Sequence, residues 1–150
     1  MSDVAIILTP IPRPRFLTAL CAVNKIGGHV LETSGGPIAI LDDASPESAE
    51  KAARTVSAFI KGPEFMLAES REGNVRVQVW KAGAVDREVP AGLALADSPG
   101  VVTSLLTRAS TFEEIAETHE DKVHSTDVGR IKAYRELIKE TNALRKEMGA

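Results

Sequence analysis

The residues best suited to chemistry form a polar run in the last third of the chain. It contains two histidines and four carboxylates, namely Glu117, His119, Glu120, Asp121, His124 and Asp127. Imidazole and carboxylate groups are common ligands of transition metals. However, His119 and His124 would be separated by about 500° of rotation on an α-helix and would face different directions. The spacing also differs from that of helical zinc motifs. The run therefore predicts a solvated acidic loop rather than a metal centre.

Other polar features have structural explanations. The pairs Gly27-Gly28 and Gly35-Gly36 match neither a P-loop nor a dinucleotide fingerprint, so we interpret them as turn glycines. Asp42-Asp43 precedes a predicted helix start, where the helix dipole favours acids. Cys21 falls in an apolar stripe and is predicted to be a small buried hydrophobe. The sequence contains no nucleophile elbow. We therefore predict a protein that is not an enzyme, with no catalytic, cofactor-binding or metal-binding residue.

A charge contrast near the C-terminal end suggests DNA binding as an alternative. Five acids and one lysine lie between positions 111 and 124, whereas six bases and three acids lie between 128 and 150. A short helix followed by a basic helix is typical of a helix-turn-helix motif. The connection at 118–126 is longer than the usual turn of that motif. The alternative prediction is a DNA-binding regulator with a ligand-sensing α/β body, in which Arg130, Lys132 and Arg135 contact DNA.

The first 90 residues alternate strand and helix patterns. The run Val4–Leu8 is apolar on both faces, as in a strand in the middle of a sheet. A helical stripe follows from Pro14 to Ile26, and Ser45-Pro46 is a typical start for a second helix. Further strands are predicted at 29–33, 37–41, 65–69, 75–81 and 84–89, with turns at 71–74 and 82–83 between the last three. This order predicts an α+β, ferredoxin-like (split β-α-β) sheet body with one or two extra antiparallel strands.

Beyond Pro90 the patterns are helical, and no strand is predicted. Ser98-Pro99 indicates one helix start, and Ser110 and Glu113 have the spacing of a capping box. A longer amphipathic helix is predicted from about position 126 to 148. Its single apolar stripe is formed by Val128, Ile131, Tyr134, Leu137, Ile138, Leu144 and Met148. We therefore divide the chain into a sheet body at 1–90 and a helical C-terminal region, a subdomain or an arm, at 91–150.

Trp80 lies on an unexpected side of its predicted strand. The valines at 75, 77 and 79 face one way, whereas Arg76, Gln78 and Trp80 face the other. The crossover helices of a split β-α-β unit cover one face, which we expect to be the valine face. The Trp80 face, shared with Ile7 and Met66, then needs another cover. Either the C-terminal helices or another chain could supply it, since buried Trp often anchors interfaces.

These patterns predict a structural protein that makes protein–protein contacts in a homo-oligomer or a larger assembly, such as a phage virion. The predicted contact residues are Trp80, Met66, Tyr134, Leu137, Leu144 and Met148. The partner is expected to be a second copy or another protein subunit. A net charge of −3 does not favour general attraction to nucleic acid or to a membrane surface. Neither a signal peptide nor a membrane-spanning run is recognised, so a cytoplasmic location, or a particle assembled there, is expected.

Overall fold

The computed structural model describes residues 3–60, 62–96, 98, 100–127 and 129–147, apart from the side chain of Arg130. It has the mixed α+β class that was predicted, with helices and a single open sheet. The strands are β1 Val4–Leu8, β2 Gly28–Leu31, β3 Ile38–Leu41, β4 Phe65–Arg71, β5 Asn74–Lys81, β6 Ala84–Val89 and β7 Val123–Ser125. The helices are α1 Pro14–Val23, α2 Pro46–Phe59, α3 Ala91–Ala96, α4 Gly100–Leu106, α5 Phe112–Thr118 and α6 Arg130–Glu147, with a 3-10 helix at Glu120–Lys122.

The seven strands form an antiparallel sheet in the order β6-β5-β4-β1-β3-β2-β7. The central position of β1 agrees with its sequence, because a strand that is apolar on both faces must be covered on both. Ala5 and Ile7 enter one core cluster, whereas Ile6 and Leu8 enter the cluster on the opposite face. The sheet therefore has a helical layer on each side.

Two tight hairpins hold the register of β4, β5 and β6. Glu72 and Gly73 have φ values of 51° and 81°, and Ala82 and Gly83 have 52° and 86°. Positive φ at both central residues gives a turn whose twist matches that of the flanking strands. The turns predicted at 71–74 and 82–83 are confirmed by the pairs Arg71 with Asn74 and Lys81 with Ala84.

Side-chain caps begin α2 and α5, and the cap of α5 lies one residue later than predicted. Ser45 caps α2, since its hydroxyl accepts a hydrogen bond from the Ser48 amide at 3.4 Å. The predicted capping box of α5 is wrong by one residue, because Thr111 and Glu114 form it. The amide of Ser110 donates instead to the carbonyl of Ser104 at 3.2 Å, which keeps Ser110 in the preceding loop.

Trp80 lies on the face covered by the crossover helices, so the expected orientation of β5 is wrong. Its side chain is 2 % exposed and packs in the cluster of Ile7, Phe65 and the apolar sides of α1 and α2. Val77 faces the other way, into a cluster with Val102 on α4 and Ile115 on α5. Strand alternation determines which residues share a face, but it does not determine which face a helix covers.

The region beyond Pro90 contains a strand, contrary to prediction. β7 pairs with β2 at the edge of the sheet, with His29 opposite Ser125 and Leu31 opposite Val123. A short edge strand in a polar segment has no apolar run to reveal it. The region also contains α3, which was not predicted, and α6 begins at Arg130 rather than near 126. Residues on both sides of Pro90 contribute to both core clusters.

Candidate interaction surface

One side of α6 packs against α1. Ala133, Leu137, Glu140 and Leu144 recur at intervals of three and four residues, so they lie on one side of the helix, and all four are buried. We call these residues the inner face of α6. Leu137 and Leu144 are each 5 % exposed and belong to the α1 and α2 cluster. Together with Trp80, which belongs to the same cluster, three of the predicted contact residues therefore lie in the core of their own chain.

Acidic residues at the inner side of α6 pair with arginines at the start of α1. Arg13 lies 2.5 Å from Glu140 and 2.6 Å from Glu147, and Arg15 lies 3.8 Å from Glu136. The side chain of Glu140 is only 6 % exposed, so Arg13 compensates a largely buried charge. The hydrogen bond to Glu140 and the nearby carboxylates raise the pKa of the Arg13 guanidinium. These contacts orient α6 on α1.

The opposite side of α6 carries an uncovered apolar stripe. Ile131, Tyr134 and Ile138 are 73 %, 57 % and 48 % exposed, and their i, i+3, i+7 spacing aligns them along the helix. Among the described residues, the other large apolar side chains with comparable exposure are Phe59, Val85 and Leu93, each on a different element. Scattered exposed apolar residues are normal, whereas an aligned group indicates a contact surface.

Basic side chains accompany this stripe. Lys132, Arg135, Lys139, Arg145 and Lys146 are all exposed. None of them forms an ion pair with another residue in the described part of the chain. We call these five bases and the apolar stripe together the outer face of α6. The acids of the helix thus lie towards α1, whereas Arg135, Lys139, Arg145 and Lys146 lie away from it and the exposed Lys132 borders the groove between α1 and α6.

The remaining predicted contact residues are not brought together. Met66 pairs with Val79 and packs against the cluster beneath α4, so it faces away from Trp80. The indole Nε1 of Trp80 has no hydrogen-bond partner among the described atoms, and the guanidinium of Arg54 lies 6.0 Å from the ring centroid. Met148 lies outside the described residues. Tyr134 is the predicted contact residue that is exposed on a candidate surface.

The predicted helix-turn-helix arrangement is wrong. The 3-10 helix and β7 separate α5 from α6, and the β7 pairing with β2 places that connection in the sheet. Ile115 of α5 and Leu137 of α6 enter clusters on opposite faces of the sheet. Lys132 and Arg135 are exposed on the outer face, whereas the side chain of Arg130 lies outside the description. The bases are exposed, but they do not lie in a motif that would place them in a DNA groove.

The two histidines of the polar run have separate partners. His124 Nε2 lies 2.8 Å from Glu32, across the β2–β7 pair. His119 Nδ1 lies 2.8 Å from the Thr118 hydroxyl and 3.2 Å from the carbonyl oxygen of Ile115. Within the described ranges, the structure contains no group of three His, Cys, Asp or Glu side chains arranged to hold a metal ion.

Two other candidates for chemistry have structural roles. Burial raises the pKa of the Cys21 thiol to about 12, so this residue stays protonated and inert at neutral pH. Asp43 accepts hydrogen bonds from the Ser48 hydroxyl at 2.6 Å and the Ser45 amide at 3.0 Å, which lower the pKa of its carboxyl. Asp43 therefore stabilises the first turn of α2.

A groove of about 520 Å³ lies between α1, β7 and α6. Its lining includes His124 and two bases, Arg15 and Lys132, whose positive charges attract anions. Glu136 also lines it and lies 3.8 Å from Arg15, so it offsets part of that charge. Arg15 is 68 % exposed, and the buried side-chain nitrogen that lacks a partner among the described atoms belongs to Trp80, which does not line the groove. The groove is thus a weaker candidate than the outer face of α6.

The described part of the chain includes no helix that is long and apolar enough to cross a membrane.

Comparisons with known proteins supply no relative from which a function could be transferred. No protein-family model matches the chain, and searches of curated proteins and of solved structures find no significant similarity. A functional conclusion must therefore come from the geometry of the described residues. The outer face of α6 is the feature on which we base that conclusion, because its exposed apolar stripe does not contribute to the core of the chain.

Proposed function

We propose that this chain is a non-enzymatic interaction protein that assembles through the outer face of α6. The observation that carries this proposal is the alignment of Ile131, Tyr134 and Ile138 on a helix whose other face is already buried. Burying one large aliphatic side chain stabilises a complex by roughly 1.5–3 kcal/mol before the costs of association. A partner that covers this stripe would therefore gain binding affinity from side chains that do not stabilise the monomer.

The attachment of α6 supports the same function. Leu137 and Leu144 hold the helix against α1, and Arg13 joins it at two carboxylates. A contact helix that is already formed and oriented loses little conformational entropy when a partner binds. The outer face is thus presented as a rigid surface, which suits a subunit of a homo-oligomer or a larger assembly.

Light scattering and sedimentation over a range of concentrations test the proposal. We expect the wild-type chain to self-associate and the Ile131→Ser/Ile138→Ser variant to remain monomeric. Leu93→Ser is the matched control, since Leu93 is 75 % exposed on α3 and should not affect association. A wild-type chain that stays monomeric at every concentration would contradict self-association, and so would a variant that assembles as well as wild type.

Nucleic acid is the other class of partner that the exposed bases suggest. Lys132, Arg135 and Lys139 present positive charge and have no ion-pair partner within the described part of the chain, but the net charge of −3 and the apolar stripe favour a protein contact. A mobility-shift assay at low salt distinguishes the two classes. Duplex binding that falls steeply with salt and is lost in Lys132→Ala/Arg135→Ala would replace the protein partner with DNA.

We also infer that β1-α1-β2-β3-α2-β4 is a ferredoxin-like, split β-α-β unit. The inference is supported by the antiparallel order β4-β1-β3-β2 and by the shared cluster of α1 and α2 on one face. On this interpretation β5, β6 and β7 extend the unit at its two edges. The fold carries no function by itself, so the surface of α6 remains the basis of the proposal.

A further inference from the structure

We propose that the outer face of α6 docks on α5 and the 3-10 helix of a second copy, so that copies join head to tail. This inference rests on the proposed function and adds the identity of the occupant. The receiving surface consists of the exposed side of Phe112–Lys122 and the pocket beside it, and we call it the acceptor surface. Its charge, its shape and its place in the fold each support the assignment.

The charge of the acceptor surface is complementary to the outer face of α6. Glu113, Glu117, Glu120 and Asp121 are exposed, and none of them pairs with a base among the described residues. Lys122 is also exposed and offsets one of these four charges, so the surface remains acidic. Glu114 is occupied by its capping bond to Thr111. Opposite potentials steer association and select the partner, whereas like charges disfavour it. Two α6 helices facing each other would bring their bases together, so the acidic surface of another copy is the better match.

A pocket gives this surface a place for an aromatic side chain. It measures about 280 Å³ and lies between the end of β2, α4 and α5. Leu31, Val101 and Ile115 line it with apolar atoms. Its polar and charged lining residues are Glu32, Thr33, Ser34, His119 and Lys122. Tyr134 combines an apolar ring with a hydroxyl that needs a polar partner. We assign Tyr134, in the middle of the exposed stripe, as the side chain that enters the pocket of the next copy.

The fold prevents the two surfaces from meeting within one chain. Leu137 fixes α6 in the cluster that contains Ile7, whereas Ile115 fixes α5 in the cluster that contains Ile6. Neighbouring residues of β1 point to opposite faces of the sheet, so the two helices lie on opposite sides of it. A contact between two different surfaces is heterologous, and it produces a closed ring or an open filament rather than a two-fold dimer.

Charge reversal on each surface tests this arrangement. The donor variant carries Arg135→Glu/Lys139→Glu, and the acceptor variant carries Glu117→Lys/Glu120→Lys. Either variant alone should self-associate at least about tenfold more weakly than wild type, because each opposes like charges. An equimolar mixture should recover assembly, since reversed donors then face reversed acceptors and the wild-type surfaces face each other. Circular dichroism and thermal melting of each variant establish that the fold is intact.

The outcomes separate this inference from the proposed function. If the donor variant loses assembly while the acceptor variant assembles like wild type, α6 is still the contact helix but the acceptor surface is wrong. If neither reversal weakens assembly and Ile131→Ser/Ile138→Ser has no effect, the proposed function fails as well. Recovery only in the mixture supports the head-to-tail contact.

Cross-linking provides a second test that does not depend on charge. Cys21 is buried and serves as a silent background thiol. A chain carrying both Asn142→Cys, an exposed position on α6 that leaves Tyr134 in place, and Ser34→Cys should form a ladder of oligomers with a flexible bismaleimide cross-linker, whereas either single substitution should give no ladder. Efficient dimers from Asn142→Cys alone would instead show that two α6 helices face each other, and would overturn the inference.

Discussion

Both faces of α6 carry large apolar side chains, but those of the inner face are buried and those of the outer face are exposed. Leu137 and Leu144 on the inner face are each 5 % exposed, whereas Ile131 on the outer face is 73 % exposed. The inner acids have arginine partners, but the outer bases have none among the described residues. One helix thus separates two tasks. Its inner face should determine the free energy of unfolding, and its outer face should determine association.

The largest expected effect on stability is at the inner face. Leu137→Ala should lower the free energy of unfolding by roughly 2–4 kcal/mol, because it removes buried methyl groups and leaves a cavity against α1. Ile138→Ala is the matched control on the next residue, which is 48 % exposed, and it should change stability by no more than about 0.5 kcal/mol. Urea unfolding at a concentration where the chain is monomeric measures both. Equal losses from the two substitutions would contradict the assignment of the faces.

A smaller effect should distinguish the two arginines of α1. Arg13→Ala removes the partner of Glu140 and leaves a carboxylate that is 6 % exposed without its cation, so the thermal midpoint should fall. Arg15→Ala is the control, because Arg15 is 68 % exposed and lies 3.8 Å from Glu136, and the midpoint should barely change. A variant with Arg13→Met/Glu140→Leu should recover most of the loss, since it leaves no buried unpaired charge and the other partner of Arg13, Glu147, is 55 % exposed.

The pKa of Arg13 determines how the stability difference between wild type and Arg13→Ala should depend on pH. Its hydrogen bond to Glu140 raises the pKa above the ordinary guanidinium value. A base with a raised folded-state pKa stabilises the fold below its unfolded pKa, and this contribution is lost as the pH rises through the folded value. Arg13 is charged throughout the neutral range, so its own titration should leave the gap between wild type and Arg13→Ala unchanged from about pH 6 to 9. A gap that closes within that range would show that another group controls the contact.

Local signals in the sequence were sufficient for the turns and for one helix start. Ser45-Pro46 and the glycine turn at Gly73 act within a few residues, so their structure does not depend on the rest of the chain. β7 was missed because three edge residues in a polar segment carry no periodic signal. The face of Trp80 was wrong because alternation assigns residues to two groups without saying which group meets α2.

The two faces of α6 were partly readable from the sequence. Its apolar positions were treated as one stripe that included Tyr134, Leu137 and Leu144, although they span both the buried and the exposed sides. The charges contained part of the missing signal, because Glu136, Glu140 and Glu147 cluster on one side of the helical wheel, whereas Arg135, Lys139, Arg145 and Lys146 lie outside that cluster and Lys132 lies at its edge, one turn before Glu136. The arginines at 13 and 15 could be recognised as partners of these acids only once α1 and α6 were seen to pack together.

The smallest expected effect is that of salt on self-association. It tests how much of the affinity of the outer face comes from charge and how much from apolar burial. The Debye length falls from about 10 Å at 0.1 M salt to about 3 Å at 1 M, so the contribution of Arg135 and Lys139 to association should weaken over that range. Burial of Ile131 and Ile138 is not screened in this way. We therefore expect the dissociation constant of self-association, measured by sedimentation, to rise only severalfold.

The charge-neutral variant Arg135→Gln/Lys139→Gln sharpens this test. It should associate more weakly than wild type at low salt and approach wild type at high salt, because only its electrostatic contribution has been removed. Complete dissociation of wild type at about 1 M salt would mean that the apolar stripe contributes nothing to the contact. Association that strengthens with salt in both proteins would mean that the bases do not face acids. Either result would contradict the division of roles on the outer face, in which the apolar stripe supplies affinity and the bases orient the partner.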